Sequence, residues 1–456
     1  MASCRDPGGN LIRMPAAPTP QPSGLSFRLA MVCLMAVAVS LPMALVSIAK
    51  VALFAFTAFY LLLTPTSTHT RCVLRELWTA RVVLCVVAAF ALSLFWTQAD
   101  GATALVAFLK HAKLLGLVLL LILIRSAREA RLALNCLLLG QALVLLSSWL
   151  MAADVPLFWT VRASGPMEIT PYSGKSGADD QYIPFAVSYL DQTLMLTISA
   201  VIYWYQGRSS PGGAVFSWVF VAGALLNVLL LMPGRTAYVA LIVCAVLAML
   251  WQTPRRFPRW AMALAPLGLL AILMATPTPL QERMTVALAE FKHYPQATDG
   301  ESSVGTRLIM WTRAVKAIAH QPLHGYGVGA TSVANQQVRA SADDPLKGHG
   351  DVDNPHQEFL LWGVELGLGG SLALLALLSA LVRDASLFSQ AHWRSTVSVL
   401  LVVGLSCLFN SPLFDDLLGD FMCVSLGLLL ALGFHADPST TLASGQLPQD
   451  VGKADS

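Results

Sequence analysis

Residues 354–370 read NPHQEFLLWGVELGLGG. Here a polar interruption spanning 276–355 ends and hydrophobic sequence resumes, with His356 at the point of re-entry. Pro355 sets the turn, and from there to Gly370 the only carboxylates are Glu358 and Glu365. On both sides of the interruption lie windows of about 18 or more nearly uncharged residues, the length an apolar helix needs to cross a bilayer.

Composition sets the class. The chain is 56% hydrophobic and 12% charged, with a mean hydropathy of +0.64, far from a soluble domain. A net charge of +3, with no basic patch interleaved with aromatics, excludes a nucleic-acid partner. The expected fold is an all-α polytopic membrane protein of about twelve spans. They fall at 27–45, 47–63, 78–97, 103–124, 132–152, 184–205, 214–232, 236–251, 260–275, 356–382, 395–410 and 417–434. Expected boundaries are a disordered tail at 1–26, spans over 27–275, the polar loop at 276–355, spans over 356–434 and a second tail at 435–456.

Charge gives the orientation. With the N-terminus in the cytoplasm, the basic short loops fall inside: Arg71 and Arg75; Arg125, Arg128 and Arg131; Arg208; Arg255, Arg256 and Arg259; Arg383 and Arg394. The opposite loops hold Asp100, Asp154, Glu168, Asp179, Asp180, Asp415 and Asp416. Both termini are then cytoplasmic, and 276–355 is a large, partly helical outside loop. None of the eight cysteines falls in an outside loop, so no disulfide framework is expected.

Polar groups at span ends on the outer side are the candidate site, because charge is expensive there. In MPGRTAYVAL, Pro233 and Gly234 break the chain and Arg235 and Thr236 open the next helix, whose free N–H groups favour an anion. A snorkelling interfacial arginine is the plainer alternative. In SVGTRLIMWTRAVKAIAHQPLHGYGVG, apolar residues repeat at helical spacing from Thr306, giving an amphipathic helix with Arg307 in its first turn. Arg313 and Lys316 read as a solvated or headgroup face. In the opening stretch, Asn354, His356 and Glu358 cluster, and His356 is the natural neutral base near pH 7. Lys110, His111 and Lys113 form a fourth cluster, either snorkelling or facing an anionic cavity. Asp351 and Asp353 spell D-x-D, but the triplet is common by chance in an aspartate-rich loop; no metal site is expected, and no P-loop or G-x-S-x-G occurs.

Together, GRTAYVAL, TRLIMWTRAVKAIAHQPLHGYGVG and NPHQEFLLWGVELGLGG resemble the O-antigen ligase family. It shares this signature with O-antigen polymerases and bacterial protein O-oligosaccharyltransferases. The resemblance implies a metal-independent, inverting, membrane-embedded (GT-C-like) glycosyltransferase without cofactor, in the inner membrane of a Gram-negative cell with its site facing the periplasm. It would act in lipopolysaccharide biosynthesis. The donor would be a glycan on undecaprenyl diphosphate and the acceptor a sugar hydroxyl of lipid A–core. Arg235 and Arg307 would bind the diphosphate and His356 would serve the acceptor. Thr236, Lys110, His111, Lys113, Asn354 and Glu358 are further substrate-binding candidates. Ligase is favoured over polymerase, and the chain's end soon after the twelfth span counts against a protein-glycosylating relative. A twelve-helix transporter of lipid-linked sugars is the rival from another class, but no repeat relates the two halves and the polar groups crowd one face. The motifs of the peptidoglycan polymerases cannot be placed in this sequence.

Overall fold

The computed structural model describes residues 3–5, 11–13, 26–64, 67–163, 169–172, 183–185, 188–207, 211–232, 234–252, 303–340 and 354–436, with single positions 264, 268, 271, 281 and 285. The expected span 260–275 otherwise lies outside the described residues, as do Asp351 and Asp353. So do most of the expected tails, although His435 and Ala436 belong to the last helix.

The described chain is nearly all helix. In order, α1 is Phe27–Ala38, α2 Met43–Leu63, α3 Thr68–Glu76, α4 Trp78–Ser93, α5 Gly101–Ala112 and α6 Leu115–Leu123. Next come α7 Ala127–Ala152, α8 Tyr189–Gln206, α9 Pro211–Leu226 and α10 Arg235–Gln252. After the polar region begins, α11 is Ser303–His320 and α12 Thr331–Ala340. The last four are α13 Glu358–Leu366, α14 Leu368–Ala385, α15 Gln390–Phe409 and α16 Asp416–Ala436. Two short antiparallel strand pairs, Ser3–Arg5 with Leu11–Arg13 and Leu157–Ala163 with Ile169–Tyr172, depart from a purely helical expectation.

Among the described residues, 8 helices are long and apolar enough to cross a membrane, or up to 9 with one bent pair. The expected twelve are met in part: span 260–275 lies outside the described residues, and others differ in form. The first expected span, 27–45, is only a 12-residue helix that stops before Pro42. The bent pair is α3 with α4, which meet at 85°. The free N–H groups of Trp78 and Thr79 at the bend donate to the Asp384 carboxylate at 3.1 and 2.7 Å, a cap supplied from α14.

The expected span 356–382 is also broken, between α13 and α14. Gly367 adopts φ +69°, and a Cβ there would lie 2.5 Å from the Pro322 carbonyl oxygen. The break exposes helix carbonyls, and the loop after α11 fills the gap. Tyr326 N–H donates to the Val364 carbonyl and Gly327 N–H to that of Glu365, both at 2.9 Å, while Leu368 N–H donates to Pro322 at 2.8 Å. Broken helices persist at membrane depth when other protein groups satisfy the freed backbone in this way.

The core is organised around α16, apolar on every side and buried at every residue from Leu417 to Phe434. It packs on α6, α7 and α15. Its one buried carboxylate, Asp420, meets Lys50 of α2 at 2.7 Å. Breaking a buried pair leaves an uncompensated charge, so Lys50→Met should cost about 3 kcal/mol, the low end of the usual range because Lys50 keeps some exposure. Thermal unfolding of Lys50→Met, Asp420→Leu and the double variant checks this. The double variant should recover most of the loss, and equal loss in all three would rule the pairing out.

Candidate active site

One end of the helical assembly gathers four chain segments. α10 begins there with Arg235 and Thr236; α11 brings Arg307 in its second turn; the turn 354–357 precedes α13; and α15 ends at Phe409, followed by Asn410 and Ser411. Asn410 is the junction. Arg307 Nη2 donates to Asn410 Oδ1 at 3.1 Å, and Asn410 Nδ2 donates to Thr236 Oγ1 at 3.3 Å. One buried amide thus ties the start of α10 to the start of α11.

The two arginines are near enough for their charges to interact. Burial, and then the Arg235 charge, lower the pKa of Arg307. A guanidinium remains charged at neutral pH all the same. Two cations held side by side repel each other, and an anion bridging them removes that cost. Thr236, 7% exposed, stands next to Arg235 and keeps its hydroxyl on Asn410.

His356 sits on the turn with φ +49°, a left-handed backbone that side-chain-bearing residues seldom adopt. Asn354 stabilises it: its Oδ1 accepts from His356 N–H at 2.8 Å and from Ser411 Oγ at 2.7 Å. Trp311 Nε1 donates to the Pro355 carbonyl at 3.0 Å, tying the turn to α11. The imidazole opens to solvent, yet partial burial, and then the Arg307 charge, hold its pKa below the ordinary 6.5. It is therefore neutral at pH 7, as a proton acceptor must be.

Glu358 lies beneath this surface, fully buried, and holds the turn after α15. Its Oε2 accepts from Leu413 N–H at 3.0 Å, its Oε1 from Trp362 Nε1 at 2.8 Å, and its own N–H donates to the Asn410 carbonyl at 3.1 Å.

The cluster on α5 is engaged by protein partners. Lys110 lies 3.6 Å and Lys113 3.8 Å from the Asp416 carboxylate, and Lys113 also donates to the Phe414 and Asp415 carbonyls. His111 meets Glu365 at 2.7 Å, and its ring stacks on Phe90. These three residues thus pin the 414–416 turn and α13, next to the arginine–histidine group and not within it.

Two findings were not foreseen. Asn410 is only the last residue of the expected span 395–410, and Ser411 follows it with no reading of its own; the signal available was Asn-Ser-Pro at a helix end. Arg313, read as a solvated face, is 2% exposed, because α12 and the Pro355 turn close over that side of α11.

Residues 218–375 match the family model described as O-antigen ligase. Over that segment, under half of the chain, the sequence is similar to the O-antigen ligase family. The matched segment contains Arg235, Arg307 and His356. Members of this ligase family are glycosyltransferase-like enzymes. An uncharacterized protein of Haemophilus influenzae is 26% identical over 117 residues, which cover 25% of this chain and 29% of that relative. The alignment thus spans under a third of the relative's length. A chain from the structure of a peptidoglycan synthase complex is similar at a TM-score of 0.38 and 16% identity, covering 78% of this chain and 96% of that one.

Proposed function

We propose that the protein is an O-antigen ligase. In this reading it moves a glycan from undecaprenyl diphosphate to a sugar hydroxyl of lipid A–core, at the periplasmic face of a Gram-negative inner membrane. The observation that carries it is the meeting of Arg235, Arg307 and a neutral His356 at one end of the helix assembly.

Each residue then has a task. The arginines bind the donor diphosphate and stabilise the negative charge that grows on it as the glycosidic bond breaks. His356 takes the proton of the acceptor hydroxyl while that oxygen attacks the anomeric carbon. The C–O bond to the diphosphate breaks, its electron pair leaves with the diphosphate, and the anomeric centre inverts. Asn410 orients Arg307, and Asn354 orients the His356 backbone. Diphosphate leaves readily at neutral pH, so no general acid is required.

The test is transfer in a reconstituted system with an undecaprenyl-diphosphate glycan and lipid A–core, with and without chelator. Capped lipid A–core, formed equally with chelator, supports the reading. Transfer only onto a second lipid-linked repeat would make the protein a polymerase. Loss of activity in chelator would replace the metal-free mechanism and bring Asp351 and Asp353 forward.

The pH profile gives a separate check. A base works when deprotonated, so a lowered pKa shifts the acid limb of kcat/KM downward. The profile should be flat through pH 7 and decline only below the ordinary histidine value of 6.5. An acid limb centred at or above that value would remove His356 from the role of base.

A further inference from the structure

The bend between α3 and α4 and the end of α14 form an arginine-rich edge. α14 is long and apolar enough to cross a membrane, and so is the bent pair α3–α4. The bend meets the end of α14 where the Asp384 carboxylate caps Trp78 and Thr79. Trp78 opens α4 and Arg383 lies in the last turn of α14, so both stand at a membrane boundary. α3 leaves α4 at 85° and runs along that boundary instead of through it.

Charge gathers at this edge. α3, α4 and α14 carry four arginines, Arg71, Arg75, Arg81 and Arg383, and two carboxylates, Glu76 and Asp384. All six lie in α3, in the first turn of α4 or in the last turn of α14. Asp384 is buried and turned inward, accepting from the two backbone N–H groups of the bend and from Arg383 at 2.7 Å. What remains at the surface is positive. Arg71 and Arg75, four residues apart, are exposed on one side of α3, while His69, Cys72 and Val73 are buried.

The Trp78 indole, 51% exposed, organises two of these cations. The guanidinium carbons of Arg81 and Arg383 lie over it at 5.7 and 5.0 Å from the ring centroid. A guanidinium stacked on a ring keeps its N–H donors in its own plane, where they can meet phosphate oxygens. Arg383 is fixed further, because its Nη1 also donates to the Glu76 carbonyl at 3.1 Å. Beyond this polar edge the spans expose apolar side chains, Leu84 and Leu92 on α4 and Leu372, Leu375 and Val382 on α14.

We propose that this edge binds an anionic phospholipid, with its headgroup phosphate on Arg81 and Arg383 beside Trp78 and its acyl chains along α4 and α14. A soluble anion would use the arginines alone; a diacyl phospholipid matches both the charge and the exposed apolar sides next to it. Arg71 and Arg75 add attraction for the negative membrane surface. The site does not depend on the ligase reading, since it involves none of Arg235, Arg307 and His356.

The test is native mass spectrometry of the full-length protein in neutral detergent, titrated with phosphatidylglycerol or with phosphatidylcholine of the same acyl chains. Wild type should bind phosphatidylglycerol more tightly. Arg81→Gln should weaken that binding roughly fivefold and Arg71→Gln/Arg81→Gln roughly twentyfold, with phosphatidylcholine unchanged. Arg128→Gln/Arg131→Gln removes the same charge from exposed positions at the start of α7 and should leave both lipids as in wild type. Equal binding of the two lipids by wild type would overturn the site. So would an equal loss in the α7 variant, which would mean diffuse charge and no defined place. Should Arg71→Gln/Arg81→Gln fail to accumulate, photo-crosslinking of wild type by phosphatidylglycerol with a diazirine on its acyl chain decides. Label concentrated on α4 and α14, in excess over the phosphatidylcholine analogue, supports the site, and label spread evenly over the spans overturns it.

Discussion

Replacing Arg307 by lysine is expected to abolish measurable glycan transfer while leaving the protein in the membrane at its normal level. In the proposed mechanism the side chain has two duties in one geometry. Nη2 holds Asn410 Oδ1 at 3.1 Å, and the rest of the planar fork remains for the donor diphosphate. An ammonium has neither the second arm nor the plane, so it keeps Asn410 or the phosphate oxygens but does not align both. Losing one preorganised donor to transition-state charge costs roughly 10²–10³ in kcat. The loss should appear in kcat, because the charge is greatest when the glycosidic bond is breaking. The measurement is the reconstituted transfer assay, with melting temperature as the control for folding. Arg307→Lys working within a few-fold of wild type would remove bidentate contact from the mechanism.

The largest structural effect is expected at Gly327. Its φ is +86°, and a Cβ built there lies 2.2 Å from the Thr97 Cα, which is backbone and not a flexible side-chain end. The positive φ alone costs about 1–3 kcal/mol for any other residue. The contact adds more, since the segment after α4 must move aside. Moving it breaks hydrogen bonds on both sides of the loop: Gln98 N–H to the Tyr326 carbonyl at 3.0 Å, and Gly327 N–H to the Glu365 carbonyl at 2.9 Å. Glu365 in turn accepts from Gly329 N–H at 2.8 Å and meets His111 at 2.7 Å. One added methyl therefore disturbs the loop, the α13–α14 break and α5 together. Gly327→Ala should yield little monodisperse protein on solubilisation, and any that survives should melt well below wild type. A wild-type melting temperature would show that the loop does not hold the α13–α14 break and the segment after α4 together.

Much of this was legible in the sequence. Hydropathy marked the membrane class, the polar interruption and most helices. Local rules placed Arg235 at a helix start, Arg307 early in an amphipathic helix and His356 at a turn. The count of spans was less legible, because hydropathy records apolar length and not direction. Pro42 ends a helix early, and Gly367 breaks another that reads as continuous.

What the sequence determined by itself are the properties that follow from spacing along the chain: apolar period, helix ends and the types of residue at those ends. What only the tertiary structure decided are the partners. Asn410 is an ordinary residue at a span end until it stands between Arg307 and Thr236. The basic cluster on α5 is divided between Asp416 and Glu365, which are distant in sequence. Arg313 and Lys316 differ by less than one helical turn, yet α12 buries the first and leaves the second partly open. Periodicity says which residues share a face of a helix; only packing says what that face meets.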